Sequence, residues 1–221
     1  VRVEVKGLHD FVTEADRAAE TAVLDYVRGR FPDHAILSEE AAPEDLAFEG
    51  HRWVIDPLDG TTNFIHGVPH FSVSVALEDD DGLLASAVHD PNRGETFHAA
   101  RGCGAHVDGE PMSVSALENS GEALFATGFP FRELTRLGPY LETFEAFIRM
   151  TAGLRRAGSA AIDLAWTAAG RYDAFWEVGL SRWDVAAGVL LVREANGLVT
   201  DVVGGDSTMT TGDVLAAGPK L

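Results

Sequence analysis

The chain has 221 residues, 46% hydrophobic and 24% charged, with a mean hydropathy near zero, which fits a globular domain or two closely packed halves. Its net charge of −18, from 35 acids against 17 lysines and arginines, argues against nucleic-acid backbones and anionic membranes as direct partners. No apolar run reaches the length of a membrane span, no signal-like segment opens the chain, and the single Cys103 excludes an internal disulfide; a reducing cytoplasm is the expected setting.

Thr13-Glu14-Ala15-Asp16 reads as a capping box opening a helix whose apolar positions include Ala18, Ala22, Val23, Tyr26 and Val27. Phe31-Pro32-Asp33 ends it, and a short strand over 35–37 runs into Ser38-Glu39-Glu40. A β-branched run then delivers Asp56-Pro57-Leu58-Asp59-Gly60-Thr61-Thr62. Pro57 is expected to end that strand, Gly60 to allow a tight turn, and Thr61 to open a helix whose free N–H groups favour an anion. Period-two alternation over 71–77, the acidic turn 79–82, and strands over 83–88 and 96–100 predict an antiparallel meander. From about Leu134 the pattern changes: helices over 137–150, 160–169 and 184–195 alternate with strands over 172–178, 198–202 and 214–217. The chain therefore divides into two packed halves, 1–125 with antiparallel sheet and 126–221 with alternating α/β, with the site in the crevice between them.

Asp56 and Asp59, beside a turn suited to an anion, suggest a metal-dependent phosphate site, although Asp-Pro and Asp-Gly are also ordinary turn dipeptides. Three further acids have two readings each. Asp184 and Asp16 stand where helix N-termini attract carboxylates in any case, and Glu39 could be a solvated loop acid. Glu177 reads equally as a strand-end acid. The eight histidines show no ligand spacing, the 79–81 acids read as a solvated hairpin tip, and Cys103 sits between two glycines with no evident partner base.

Several long blocks in fixed order resemble the inositol monophosphatase family of magnesium-dependent, lithium-sensitive phosphatases, the bacterial branch above all. They are 10–16, Ser38-Glu39-Glu40, 53–64, Arg156-Ala157-Gly158-Ser159-Ala160-Ala161, 176–188 and Glu194-Ala195-Asn196-Gly197. The resemblance implies a mixed α+β/α/β fold, a layered α-β-α-β-α sandwich of the sugar-phosphatase type. It also implies two to three Mg²⁺ per site: Glu39, Asp56 and the Leu58 carbonyl for the first, Asp56, Asp59 and Asp184 for the second, and Glu39 again for a looser third, near which Lys6 falls. Thr61 would orient the attacking water with Asp16 as its proton acceptor, and Gly60 and Thr61 would hold phosphate. Gly158, Ser159, Ala160, Asp184 and Glu177 would face the polyol. Four converging carboxylates need such cations, since two of them about 4 Å apart repel by roughly 4 kcal/mol at an effective dielectric near 20.

The resemblance further implies a homodimer and inhibition by Li⁺. Family members carry an additional helix before the Lys6 segment and another after Gly218-Pro219, so this chain is expected to be part of a longer protein. The expected activity is hydrolysis of inositol 1-phosphate and related polyol phosphates. The alternatives are fructose 1,6-bisphosphate, histidinol phosphate or nucleotide 3′-phosphates as substrate, or a regulatory protein-binding role in bacterial transcription. Arg182 could reach substrate or a partner subunit.

Overall fold

The capping box forms as read. In the computed structural model, which describes residues 3–7, 10–40, 48–131 and 133–221 (side chains of 5–11 excepted), a hairpin of β1 (Val3–Gly7) and β2 (Asp10–Thr13) feeds α1 (Glu14–Arg30). The Thr13 hydroxyl accepts from the N–H groups of Ala15 and Asp16, and the Asp16 carboxylate accepts from the Thr13 N–H at 2.9 Å. Lys6 lies on β1, and its side chain is outside the described part of the molecule.

A seven-stranded sheet follows. Strands β3 (Ala35–Ser38) and β4 (Arg52–Asp59) pair in parallel, and after α2 (Thr61–His66) come β5 (Ser72–Asp79), β6 (Gly82–Asp90), β7 (Glu95–Ala100), β8 (Ala105–Val107) and β9 (Glu110–Met112). From β4 onward these pair antiparallel in sequence order, as the alternation and the 79–82 turn predict. The second sheet takes β10 (Leu124–Thr127), then α3 (Leu137–Met150), β11 (Gly153–Arg155), α4 (Ala160–Ala168), β12 (Ala174–Glu177) and α5 (Arg182–Glu194). Strand β13 (Leu198–Thr200), α6 (Thr208–Thr211) and β14 (Val214–Ala217) complete it, in the order β11-β10-β12-β14-β13.

Strand alternation builds the layers. Phe125, Ala174 and Trp176 project to one side of the second sheet, where Tyr140 and Phe147 of α3 cover them. Ala126, Phe175 and Ala216 project to the other, against α4 and α5. Helix α5 also presses Val185 and Val189 into a core with Val54, Ala76, Val88 and Phe97 of the first sheet, and α1 packs on β4. The result is an α-β-α-β-α sandwich with α4 and α5 as its middle layer. Gly188 permits their close approach, because a Cβ there would lie 2.4 Å from Leu164 Cβ. Asn196 follows α5 in the left-handed region (φ 65°), which asparagine tolerates better than most residues where a helix ends.

One expectation fails in an instructive way. Pro57 does not end its strand; β4 continues to Asp59 through a register shift. Asp56 pairs with Ser74 and Asp59 with Ser72, so three steps on β4 match two on β5. Proline offers no N–H, and the Leu58 N–H turns to Asp56 Oδ1 at 3.0 Å, so the ladder loses little there. The extra residue has a consequence for the acids: residues three apart on a regular strand face opposite ways, whereas the bulge turns Asp56 and Asp59 the same way.

Candidate metal centre

Asp56 and Asp59 arrive on this bulge, and Asp184 on the first turn of α5, where its carboxylate accepts from the Ser181 N–H at 2.7 Å. One ligand oxygen from each of the three lies within 4.8 Å of the others, and all three side chains are buried. Glu39 follows β3, its N–H donating to the Ile55 carbonyl, and stands close enough for its charge to act on Asp56. Burial pushes Asp56 well above the usual carboxylate range, and the charges of Glu39, Asp59 and Asp184 push it further. Asp59 is raised to about 6, chiefly by burial, against hydrogen bonds from the Ser159 hydroxyl and the Ala161 N–H that favour its charged form. Among the described residues no lysine or arginine reaches Asp56 or Asp59. Buried carboxylates crowded together without a protein cation are a donor set that fits a hard divalent ion such as Mg²⁺.

Both protein bonds to Asp59 fall on the same oxygen: Ser159 Oγ donates to Oδ2 at 2.5 Å and the Ala161 N–H at 2.8 Å. That arrangement holds the carboxylate in one orientation while Oδ1 stays available for a metal. The Ser159 side chain, read from sequence as lining the polyol, is buried and engaged behind Asp59, while Gly158 and Ala160 line the cavity.

Thr61 stands next to the acids at the start of α2. Its hydroxyl has two acceptors in reach, Asp16 Oδ1 at 3.0 Å and the Leu58 carbonyl at 3.1 Å, and one proton to give. Asp16, fully buried, thus serves both as the closing N3 acid of the capping box and as the partner of Thr61. Gly60 precedes Thr61 in the left-handed region (φ 94°), where a Cβ would lie 3.1 Å from the His70 carbonyl and 3.2 Å from that of Gly158.

Glu39, Asp56, Asp59, Asp184, Gly60 and Thr61 line a cavity of about 360 Å³, together with Glu177, Gly128, Phe129, Phe131, Arg156 and Leu180. The half-buried Glu177 carboxyl is driven well above its usual range by burial and by the charges of Asp163 and Asp184. A larger cavity of about 420 Å³ beside Tyr140 and Trp176 is mostly apolar, with Arg136 at its edge, and has no acid in its lining. Sequence reading missed Gly128 and the part Arg156 plays in the cavity. Gly128 makes room for Glu177, since any Cβ there would meet the Glu177 carboxyl at 1.9 Å. The run Thr127-Gly128-Phe129-Pro130-Phe131, glycine among aromatics, was the available signal. Arg182 turns inward rather than to substrate: it bonds Glu78 Oε2 at 2.5 Å and the Met209 carbonyl at 3.0 Å.

The whole chain, residues 1–221, matches the inositol monophosphatase family. A protein called Nus factor SuhB from Pseudomonas aeruginosa is 50% identical over 224 residues, covering 100% of this chain and 83% of that protein. The crystal structure of the extragenic suppressor protein suhB from Bartonella henselae superposes with a TM-score of 0.93 at 41% identity, covering 99% of this chain and 84% of that one. The inositol monophosphatase of Anabaena gives 0.87 at 42% identity, covering 95% and 83%. With the layered fold and the crowded acids already in place, this agreement along the full length settles the family: the chain belongs to the inositol monophosphatase family, a magnesium-dependent family of phosphatase-type fold.

Proposed function

We propose that this protein is a Mg²⁺-dependent phosphomonoesterase that hydrolyses inositol 1-phosphate and related polyol and sugar phosphates. The observation that carries the reading is the buried Asp56, Asp59 and Asp184 cluster opening onto the same cavity as Thr61. Glu39, Asp56 and the Leu58 carbonyl would hold one ion, Asp56, Asp59 and Asp184 a second, and Glu39 a loose third. When bound, the ions would acidify a water and neutralise charge on the phosphate and the leaving oxygen.

The chain's own part follows from the hydrogen bonds. Thr61 donates to Asp16, so its lone pairs are free to accept from the attacking water and aim it. Gly60 and Thr61 offer N–H groups to phosphate oxygens, and the glycine conformation keeps side-chain atoms out of that approach. Glu177 meets polyol hydroxyls on the far side, with Gly158 and Ala160 forming the wall. The test is phosphate release with Mg²⁺ across inositol 1-phosphate, fructose 1,6-bisphosphate, histidinol phosphate and nucleotide 3′-phosphates. A kcat/KM for inositol 1-phosphate well below that of another ester overturns the substrate. We further propose that the working form is a homodimer and that Li⁺ inhibits: it should act uncompetitively and weaken at high Mg²⁺, with KCl as control.

A second reading, a protein-binding role in bacterial transcription, is supported by the name Nus factor carried by the similar Pseudomonas protein. Pull-down from a bacterial extract with wild type and Asp59→Asn separates the two. A partner retained equally by both supports a role independent of catalysis, and no specific partner counts against it.

A further inference from the structure

In a chain with twice as many acids as bases, arginines are mostly taken. Arg52, Arg93, Arg101, Arg136, Arg171 and Arg182 each hold a carboxylate at 2.5–2.8 Å. Arg156 differs. It is the sole lysine or arginine among the described residues lining the active cavity, and no described carboxylate lies within ion-pair distance of it. Two aromatic rings hold it instead: its guanidinium carbon sits 5.2 Å from the Phe129 ring centre and 5.1 Å from that of Phe131. The rings stand at 86° to each other, so they form a corner around the cation.

Aromatic faces steady a guanidinium without using its N–H donors, which remain available along its edge. Gly158 stands between that edge and the Gly60 turn. A Cβ at Gly158 would lie 2.9 Å from Arg156 Nη1, and the Gly158 carbonyl in turn packs against Gly60. A planar donor fork at the wall of an otherwise acidic cavity, displaced from the reacting centre, is suited to a second anion on the same substrate.

We propose that Arg156 is a specificity-determining residue that admits a second class of substrate to this site: phosphate esters bearing another anionic group, a phosphate or a carboxylate. The inference rests on the phosphatase reading above. The reaction is unchanged: water oxygen bonds to phosphorus, the ester P–O bond breaks, and the leaving oxygen takes a proton.

The experiment compares wild type, Arg156→Gln and Arg156→Lys on fructose 1,6-bisphosphate (second phosphate), 2-phosphoglycerate (carboxylate) and inositol 1-phosphate (uncharged remainder). Arg156→Gln should lower kcat/KM for whichever doubly anionic esters are taken by about ten- to hundredfold, mainly through KM, the loss expected for a charged hydrogen bond. Inositol 1-phosphate should change less than threefold, and Arg156→Lys should fall between. An equal fall on all three esters would place Arg156 on the reacting phosphate and overturn the proposal, as would no fall on either doubly anionic ester. If wild type hydrolyses none of them, the phosphatase reading fails by itself. Calorimetry of fructose 1,6-bisphosphate and 2-phosphoglycerate with Ca²⁺ then decides on Arg156: weaker binding by Arg156→Gln upholds its role, and equal or absent binding ends it.

Discussion

Two places in this molecule bury carboxylates, and they do so in opposite ways. Glu78 on β5 is 1% exposed, and both its oxygens are taken: Arg52 Nε binds Oε1 at 2.6 Å and Arg182 Nη2 binds Oε2 at 2.5 Å. Asp56 on the adjacent strand is also 1% exposed, yet the charged groups acting most strongly on it are Glu39, Asp59 and Asp184, all of like sign. The chain evidently has arginines to spend on a buried acid where the acid is structural. Leaving Asp56 and Asp59 without one transfers their neutralisation to something outside the polypeptide. Removing a carboxylate should therefore have opposite effects on stability at the two places.

The largest effect is expected at Glu78. Glu78→Ala strips two arginines of their shared partner, one of them almost fully buried, and should destabilise the fold by about 3–5 kcal/mol in denaturant titration. A loss near zero would erase the distinction between the two regions. At the cluster, Asp59→Asn and Asp184→Asn should each reduce Mg²⁺-dependent activity by at least about a hundredfold, because even outer-shell partners of metal ligands cost up to that much. Without metal the same variants should melt at an equal or higher temperature than wild type, since each deletes one of the repelling charges. A marked drop in apo melting temperature would show these acids to be structural caps.

The comparison also predicts a pH dependence. Asp59 and Asp56 titrate higher in the fold than in the unfolded chain, so between about pH 4 and 6 the folded state binds more protons. Apo stability should therefore rise as pH falls from about 7 towards 5, by something on the order of 2 kcal/mol, or about 4–8 °C in Tm. Saturating Mg²⁺ should flatten or reverse the trend. A metal-free protein that loses stability steadily over that interval would contradict the cluster's electrostatics.

Much of this was legible in the sequence, for identifiable reasons. Capping boxes, helical periodicity and period-two alternation are local, so α1, α3 and the 72–90 hairpin fall where the pattern puts them. The bulge at Pro57 was not legible, because a ladder's tolerance for proline depends on where the next N–H can turn, here to Asp56. Strands β10 and β11 escaped notice because each is only three or four residues long and is defined by partners far along the chain. In the cavity, residue types pointed to Asp56, Asp59 and the turn at Gly60 and Thr61, whereas Glu39, Asp184 and Glu177 were set there by the family resemblance. Which way Ser159 and Arg156 point depends on packing with strands and rings distant in sequence, and no spacing encodes that.

Ser159 offers the finest test. The family resemblance sets it among residues facing the polyol, whereas its hydroxyl donates to Asp59 Oδ2. If it acts through Asp59, Ser159→Ala removes one of two bonds orienting that carboxylate, and the Ala161 N–H retains the other. Mg²⁺ should then bind about tenfold more weakly, the lower end of the range for such supporting contacts. At saturating Mg²⁺, kcat and the KM for ester should stay within about twofold, because nothing touching substrate has changed. Some stability, about 1 kcal/mol, should be lost separately, since the same hydroxyl caps α4 by accepting from the Ile162 N–H. Magnesium titrations followed by calorimetry and by initial rates distinguish the two positions. Unchanged Mg²⁺ affinity with a raised KM for ester would return Ser159 to the substrate wall and leave Asp59 oriented by the Ala161 N–H alone.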